Sequence, residues 1–216
     1  MKNFIWDFDG TLFDTYPYMV TAFAKALRKN GIDPIEINPD EIYAQMRIHS
    51  LGSAIIKFSA LYGIDQERLL KDYRNYEQDE VNLAKPFENV KQVLQLIVAN
   101  GGKNGLLTHR DDQALHLLEK YDIKKLFTGL VTSKQSFARK PNPESLNYLI
   151  KKMNLEVNET AMVGDRELDV AAGNNAGVIT ILFDFDYMIE NDGNPDFIVH
   201  SIKEIIPLIK GTQDTV

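Results

Sequence analysis

Short apolar runs and longer amphipathic stretches alternate along most of this chain. The first run, NFIWDF, is apolar nearly throughout, the pattern of a strand covered on both faces. NGLLT (104–108), GLVTS (129–133), TAMVG (160–164), VITILF (178–183) and DFIVH (196–200) read the same way. Between them the spacing turns helical. ENVKQVLQLIVANGG carries Val90, Val93, Leu94, Ile97 and Val98 at helical intervals, then Gly101 to stop it. DDQALHLLEKYD and NPESLNYLIKKMN show a similar period. Strand, helix, strand in alternation predicts an α/β protein: a Rossmann-like parallel sheet with helices on both faces.

One segment breaks the alternation. Residues 16–83 hold helical patterns and no convincing strand. PYMVTAFAKALRKNG has Pro17 at a plausible first helical position and ends at Gly31. NPDEIYAQMRIHS, LGSAIIKFSALYG and DQERLLKDYRNYEQDEVNLA follow. Four helices inserted after the first strand predict a separate all-helical domain of residues 16–83 over the sheet's C-terminal edge, where open α/β sheets bind ligands. Residues 1–15 and 84–216 would then form the core. The tail GTQDTV reads as a frayed end.

Composition narrows the range of functions. The chain has 216 residues, 44% apolar and 25% charged, the balance of an ordinary globular protein. A net charge of -7, with no stretch rich in lysine and arginine, argues against a nucleic-acid partner. There is no cysteine, which excludes disulfides, thiolate catalysis and cysteine-based zinc sites and fits a reducing compartment. The N-terminal apolar run is too short for a signal segment, and no run is long enough for a membrane span. The expectation is a cytoplasmic protein without a membrane partner, a monomer or weak homodimer.

Charge then raises a question. FIWDFDGTLFDT sets Asp7 and Asp9 two residues apart where a buried strand should be ending. Like charges repel, and burying them is costly. Three other pieces also follow predicted strands: Thr108, Lys140 in ARKPNPE, and Asp165 with Asp169 in VGDRELDV. In a parallel sheet the strand C-termini share one edge, so these groups could converge. Two facing carboxylate sets would make an oxygen-only site for a hard dication such as Mg2+. Lys140 would add positive charge and Thr108 a hydroxyl donor, and the three together can hold a phosphate. Plainer readings stand beside these. The aspartates could end a strand or cap a helix, Lys140 could form a surface pair with Arg139, and Thr108 could be an ordinary strand-end residue. Asp14, ahead of the helix that Pro17 opens, reads as a cap or a local acceptor.

The motifs, in this order and spacing, resemble the haloacid dehalogenase superfamily of phosphotransferases, nearest its phosphoglycolate phosphatase and β-phosphoglucomutase-like subgroup. DFDGT, a strand ending in threonine, Lys-Pro and GDRELD all carry the resemblance, and the helical insert stands where that family has a small cap. The resemblance implies that Asp7 attacks phosphorus and becomes an aspartyl phosphate. Asp9 would protonate the leaving oxygen and later take a proton from water. Thr108 and the backbone N–H of His109 would bind phosphate oxygens, and Lys140 would offset negative charge. Asp7, Asp165 and the backbone carbonyl of Asp9 would hold Mg2+, with Asp169 as a ligand or a supporting partner. Gly10 permits the tight turn that follows and Thr11 helps fix it, both beside the substrate.

The implied activity is Mg2+-dependent hydrolysis of a small phosphorylated metabolite. A sugar phosphomutase is the first alternative. Mutases of this group usually carry Glu-Asp where this chain has Gly164-Asp165, which favours hydrolysis. A phospho-accepting domain without turnover is the second, and nothing in such a domain accounts for the helical insert. His109 and Arg110 replace the small or amide residues that more often follow the family's second-motif threonine. Either could touch substrate. Arg47 and His49 lie between two predicted helices of the insert, on a loop that either reads the substrate or is a solvated turn.

Overall fold

The structure, a computed structural model, describes residues 1–190 and 193–211. Apart from Gly211, the tail expected to fray lies outside the described residues. The chain divides into two compact units, Met1–Phe13 with Pro86–Val216, and Asp14–Lys85.

The second unit is built from α1 (Tyr16–Lys29), α2 (Pro39–Ala44), α3 (Leu51–Tyr62) and α4 (Gln66–Val81). Its core is aromatic: the Phe23 ring of α1 meets Phe58 of α3 at 5.4 Å and Tyr73 of α4 at 5.8 Å. Asp72, buried on α4, ties that helix to the end of α1 by accepting from Lys29 Nζ (2.6 Å) and Asn30 Nδ2 (3.0 Å). The sequence places Arg47 and His49 on a loop between two helices, and the structure differs. Gln45–His49 winds as a π turn closed by the Ser50 N–H on the Gln45 carbonyl. Ser50 is extended and caps α3 through its hydroxyl, so the turn before it must widen. Met46 and Arg47 are buried there, and Ile48 and His49 are exposed. The N-cap position of α1 is Thr15, and Asp14 ends a short strand just ahead of it.

The strands are β1 (Asn3–Trp6), β2 (Phe13–Asp14), β3 (Lys85–Pro86), β4 (Asn104–Leu107), β5 (Phe127–Val131), β6 (Thr160–Gly164), β7 (Ile179–Phe183) and β8 (Phe197–Val199). Six of them form one sheet in the order β5-β4-β1-β6-β7-β8, with every pairing parallel. The two-residue strands β2 and β3 pair with each other. β1, β4 and β6 are buried at every position, including the polar residue that opens each of them, Asn3, Asn104 and Thr160.

The first unit's helices are α5 (Val90–Ala99), α6 (Asp112–Lys120), α7 (Glu144–Met153) and α8 (Glu167–Ala176). Connections carrying α5 and α6 run one way along the sheet, from β1 to β4 to β5. Those carrying α7 and α8 run the other way, from β5 to β6 to β7. Right-handed crossovers therefore put the two pairs on opposite faces. On the α7 face, Leu146, Leu149 and Met153 pack with Ile5, Leu107 and Met162. The direction of travel reverses between β1 and β6, so the ligand crevice of such a sheet opens at their C-terminal ends. No helix among the described residues is long and apolar enough to cross a membrane.

Candidate active site

Two strands aim the first groups at that crevice. Asp7 follows β1, and its backbone N–H is bonded to the Val163 carbonyl of β6 (2.9 Å). Asp165 follows β6 directly. The first turn of α8 adds Asp169, whose Oδ2 accepts the Arg166 N–H (3.2 Å) and so caps the helix it belongs to. One oxygen from each of Asp7, Asp165 and Asp169 lies within 4.8 Å of the others, and all three residues are buried.

Lys140 arrives from the loop between β5 and α7. Its ammonium pairs with Asp7 Oδ1 at 2.5 Å and with Asp169 Oδ1, and it reaches the Leu107 carbonyl at 3.4 Å. It is as buried as the carboxylates. Burial alone would lower the Lys140 ammonium, but Asp169 and Asp7 outweigh it and hold its pKa above the ordinary lysine value. Burial pushes the Asp7 carboxyl up to about 7; Lys140 opposes the rise, and Asp169 and Asp165 add to it.

The end of β4 supplies the other side. Thr108 is buried, and its Oγ1 accepts the Arg110 N–H at 3.0 Å, which leaves the hydroxyl proton for another acceptor. His109 Nε2 accepts the Lys140 backbone N–H at 3.2 Å. Burial, with Lys140 and Arg139 nearby, lowers the imidazole to about 4. The ring is therefore neutral at pH 7, with its proton on Nδ1. A cleft of about 120 Å3 opens beside it, lined by Thr108, His109, Thr132, Gln135 and Arg139 among others.

Sequence reasoning names Asp7, Asp165, Asp169 and Lys140 separately, and the structure brings their side chains together. The Asp9 side chain is elsewhere: its carboxylate pairs with the Arg110 guanidinium. Gly10 has φ +71°, where only glycine fits without strain, and its N–H closes the turn on the Phe13 carbonyl (2.8 Å). Thr11 is fully buried, and its hydroxyl has no hydrogen-bond partner among the described residues. Arg47 and His49 belong to the helical unit. Arg47 is fully buried there, 5.9 Å from the Tyr16 ring, and His49 is exposed.

Residues 4–183 match the model of the haloacid dehalogenase-like hydrolases. The chain belongs to the haloacid dehalogenase-like hydrolase family. This hydrolase is 27% identical to the phosphoglycolate phosphatase of Vibrio parahaemolyticus, an alignment covering 97% of the chain and 96% of the relative. It is 24% identical to pyrophosphatase PpaX of Bacillus cereus, again over 97% of the chain and 96% of the relative. Among solved structures, a hydrolase from Streptococcus pneumoniae superposes with a TM-score of 0.64 at 38% identity, covering 85% of this chain and 94% of the other.

Proposed function

We propose that this hydrolase is a Mg2+-dependent phosphatase that cleaves small phosphorylated metabolites through an aspartyl phosphate on Asp7. The observation that supports it most is the buried group at the β1–β6 crevice: three carboxylates, Asp7, Asp165 and Asp169, and one ammonium, Lys140. Even with the Arg166 guanidinium 3.9 Å from Asp165, such an oxygen-only set is short of positive charge and suits a hard dication. Asp7, Asp165 and Asp169 would hold Mg2+, which when bound supplies positive charge to polarise the phosphoryl oxygens. Asp7 supplies the attacking oxygen and Lys140 offsets the charge that develops. The Thr108 hydroxyl and the backbone N–H of His109 would bind phosphate oxygens. Asp9 gives its proton to the departing oxygen and later takes one from the attacking water. Both named relatives act on small phosphorylated compounds by their names, which supports the same substrate class here.

A phosphate-release screen across phosphorylated metabolites, with phosphoglycolate and pyrophosphate included, tests the reading. Release should require Mg2+, stop in EDTA and return when Mg2+ is restored. Full activity in EDTA would refute the metal's part.

The raised pKa of Asp7 gives a sign for pH. A ligand carboxylate must be ionised, and below about 7 the metal-free Asp7 is mostly protonated. Mg2+ should therefore bind about tenfold more weakly at pH 6 than at pH 8 by titration calorimetry. Equal affinities would contradict Asp7 as a ligand.

Gly164 makes a second test. A Cβ there would sit 2.2 Å from Asp169 Cβ and 2.6 Å from its Oδ2. Gly164→Ala must displace the Asp169 side chain. Mg2+ affinity should fall about 10- to 100-fold while the far-UV spectrum is kept. An unchanged affinity would remove Asp169 from the metal's surroundings.

A further inference from the structure

Arg110 stands two residues past Thr108, and its sequence context assigns it no partner. In the structure its Nε lies 2.9 Å from Asp9 Oδ1 and 3.0 Å from Oδ2, and its Nη2 lies 2.8 Å from Oδ1. Its Nη1 donates to Gln113 Oε1 (2.7 Å), and its backbone N–H donates to Thr108 Oγ1 (3.0 Å). The Arg110 side chain is 7% exposed and that of Asp9 21%, so the pair is largely removed from water. Such a pair is a fixed geometric constraint rather than a loose surface contact.

We propose that Arg110 is the positioning residue of the proton-transfer steps: it orients the Asp9 carboxylate, while Gln113 and Thr108 orient Arg110. The inference rests on the reading of Asp9 as the acid and base. Asp9 sits on a tight turn after β1, and its side-chain torsions set where its proton can go. A planar guanidinium gripping both carboxylate oxygens does fix them, which the point charge of a lysine cannot do. Proton transfer depends steeply on such placement. The chemistry balances. As the P–O bond to the leaving group breaks, the Asp9 carboxyl gives its proton to the departing oxygen and becomes the carboxylate that Arg110 holds. Water then attacks the phosphorus on Asp7, its proton passes to the Asp9 carboxylate, and free phosphate and ionised Asp7 result. Both edges of the Arg110 fork are engaged, one by Asp9 and one by Gln113, which sets a positioning role apart from direct capture of phosphate.

Leaving-group dependence tests the proposal. A good leaving group departs without a proton and a poor one needs it. The probes are p-nitrophenyl phosphate and phenyl phosphate, with Mg2+, and inorganic phosphate as a competitive inhibitor. The variants are Arg110→Met, Arg110→Lys, Gln113→Leu and Asp9→Asn, each checked for a native melting curve. For Arg110→Met, kcat/KM on phenyl phosphate should fall at least about tenfold more than on p-nitrophenyl phosphate, with inhibition by phosphate changed less than about threefold. Arg110→Lys should restore little of that ratio. Gln113→Leu, which frees only one edge of the fork, should move it the same way by about threefold. Equal losses on both probes, an unmoved ratio in both the Arg110→Met and Gln113→Leu variants, or a tenfold loss of phosphate inhibition would overturn the proposal. Asp9→Asn separates the two levels. If it loses both probes equally, the acid–base reading of Asp9 fails; if it shows the leaving-group effect and the Arg110 variants do not, only the positioning role fails.

Discussion

Asp7→Asn should leave a folded protein whose phosphate release is at least about 10⁴-fold slower than that of the native chain. The size follows from the role. An amide oxygen has neither the charge nor the basicity to attack phosphorus, and a missing nucleophile is not replaced by its neighbours. The fold should survive for an equally local reason. Asp7 is one of three buried carboxylates, and burial together with its acidic neighbours already pushes its pKa to about 7. Removing its charge relieves repulsion as well as losing the contact to Lys140, which keeps Asp169 as its partner. The melting temperature should therefore stay within a few degrees of the native value or rise. Turnover near the native rate would refute Asp7 as nucleophile. A collapse of the melting curve would mean that the Lys140 contact matters more to the fold than the repulsion.

Lys140→Met should damage both stability and chemistry. The native ammonium pairs with both Asp7 and Asp169 in the buried cluster. Without it the carboxylates face one another, and breaking a buried pair by removing one partner typically costs about 3–5 kcal/mol. For a chain of this size that is a fall of about 10 °C in melting temperature. The loss should grow as pH rises, because Asp7 escapes the repulsion only by taking up a proton, and without Lys140 its carboxyl holds that proton to higher pH than in the native chain. Mg2+ should recover part of it, because a dication bound by the folded state alone raises the folded fraction. Activity should still be lower by about 10²- to 10³-fold with saturating Mg2+, since the charge that met the transition state is gone. Scanning calorimetry at pH 8, with and without Mg2+, reads the first effect. A melting point that neither falls without the metal nor rises with it would contradict the electrostatic account of the cluster.

The sheet was legible because its strands are uniform. NFIW, NGLL and TAMVG are buried at every position, and after the polar residue that opens each, a run with no polar face has few other places to go. α8 was not legible. ELDVAAGNNA offers Val170 and small residues instead of a regular apolar stripe, and what fixes the helix is its packing against β6 and β7. β2 and β3 are two residues each, too short for any period to register. The π turn at Gln45–His49 has no sequence signature beyond the capping serine that follows it. At the site, the aspartates, Thr108 and Lys140 stand out because each comes just after an apolar run or in a recognisable motif. The pairing of Arg110 with Asp9 does not, since the two are 101 residues apart and only the β1–β4 adjacency brings their loops together. Ionic partners chosen by side-chain reach in three dimensions leave no periodic trace in one.

In the proposed reaction the phosphoryl group passes through a covalent bond to a single carboxylate. Mixing enzyme, Mg2+ and phenyl phosphate for milliseconds, quenching in acid, reducing with borohydride and mapping peptides by mass spectrometry tests it most directly, because reduction turns an acyl phosphate into an alcohol. Homoserine should appear at position 7 and at no other aspartate, and should be absent when substrate is left out. A reduced residue at Asp9, Asp165 or Asp169, or none at all while turnover proceeds, would contradict it.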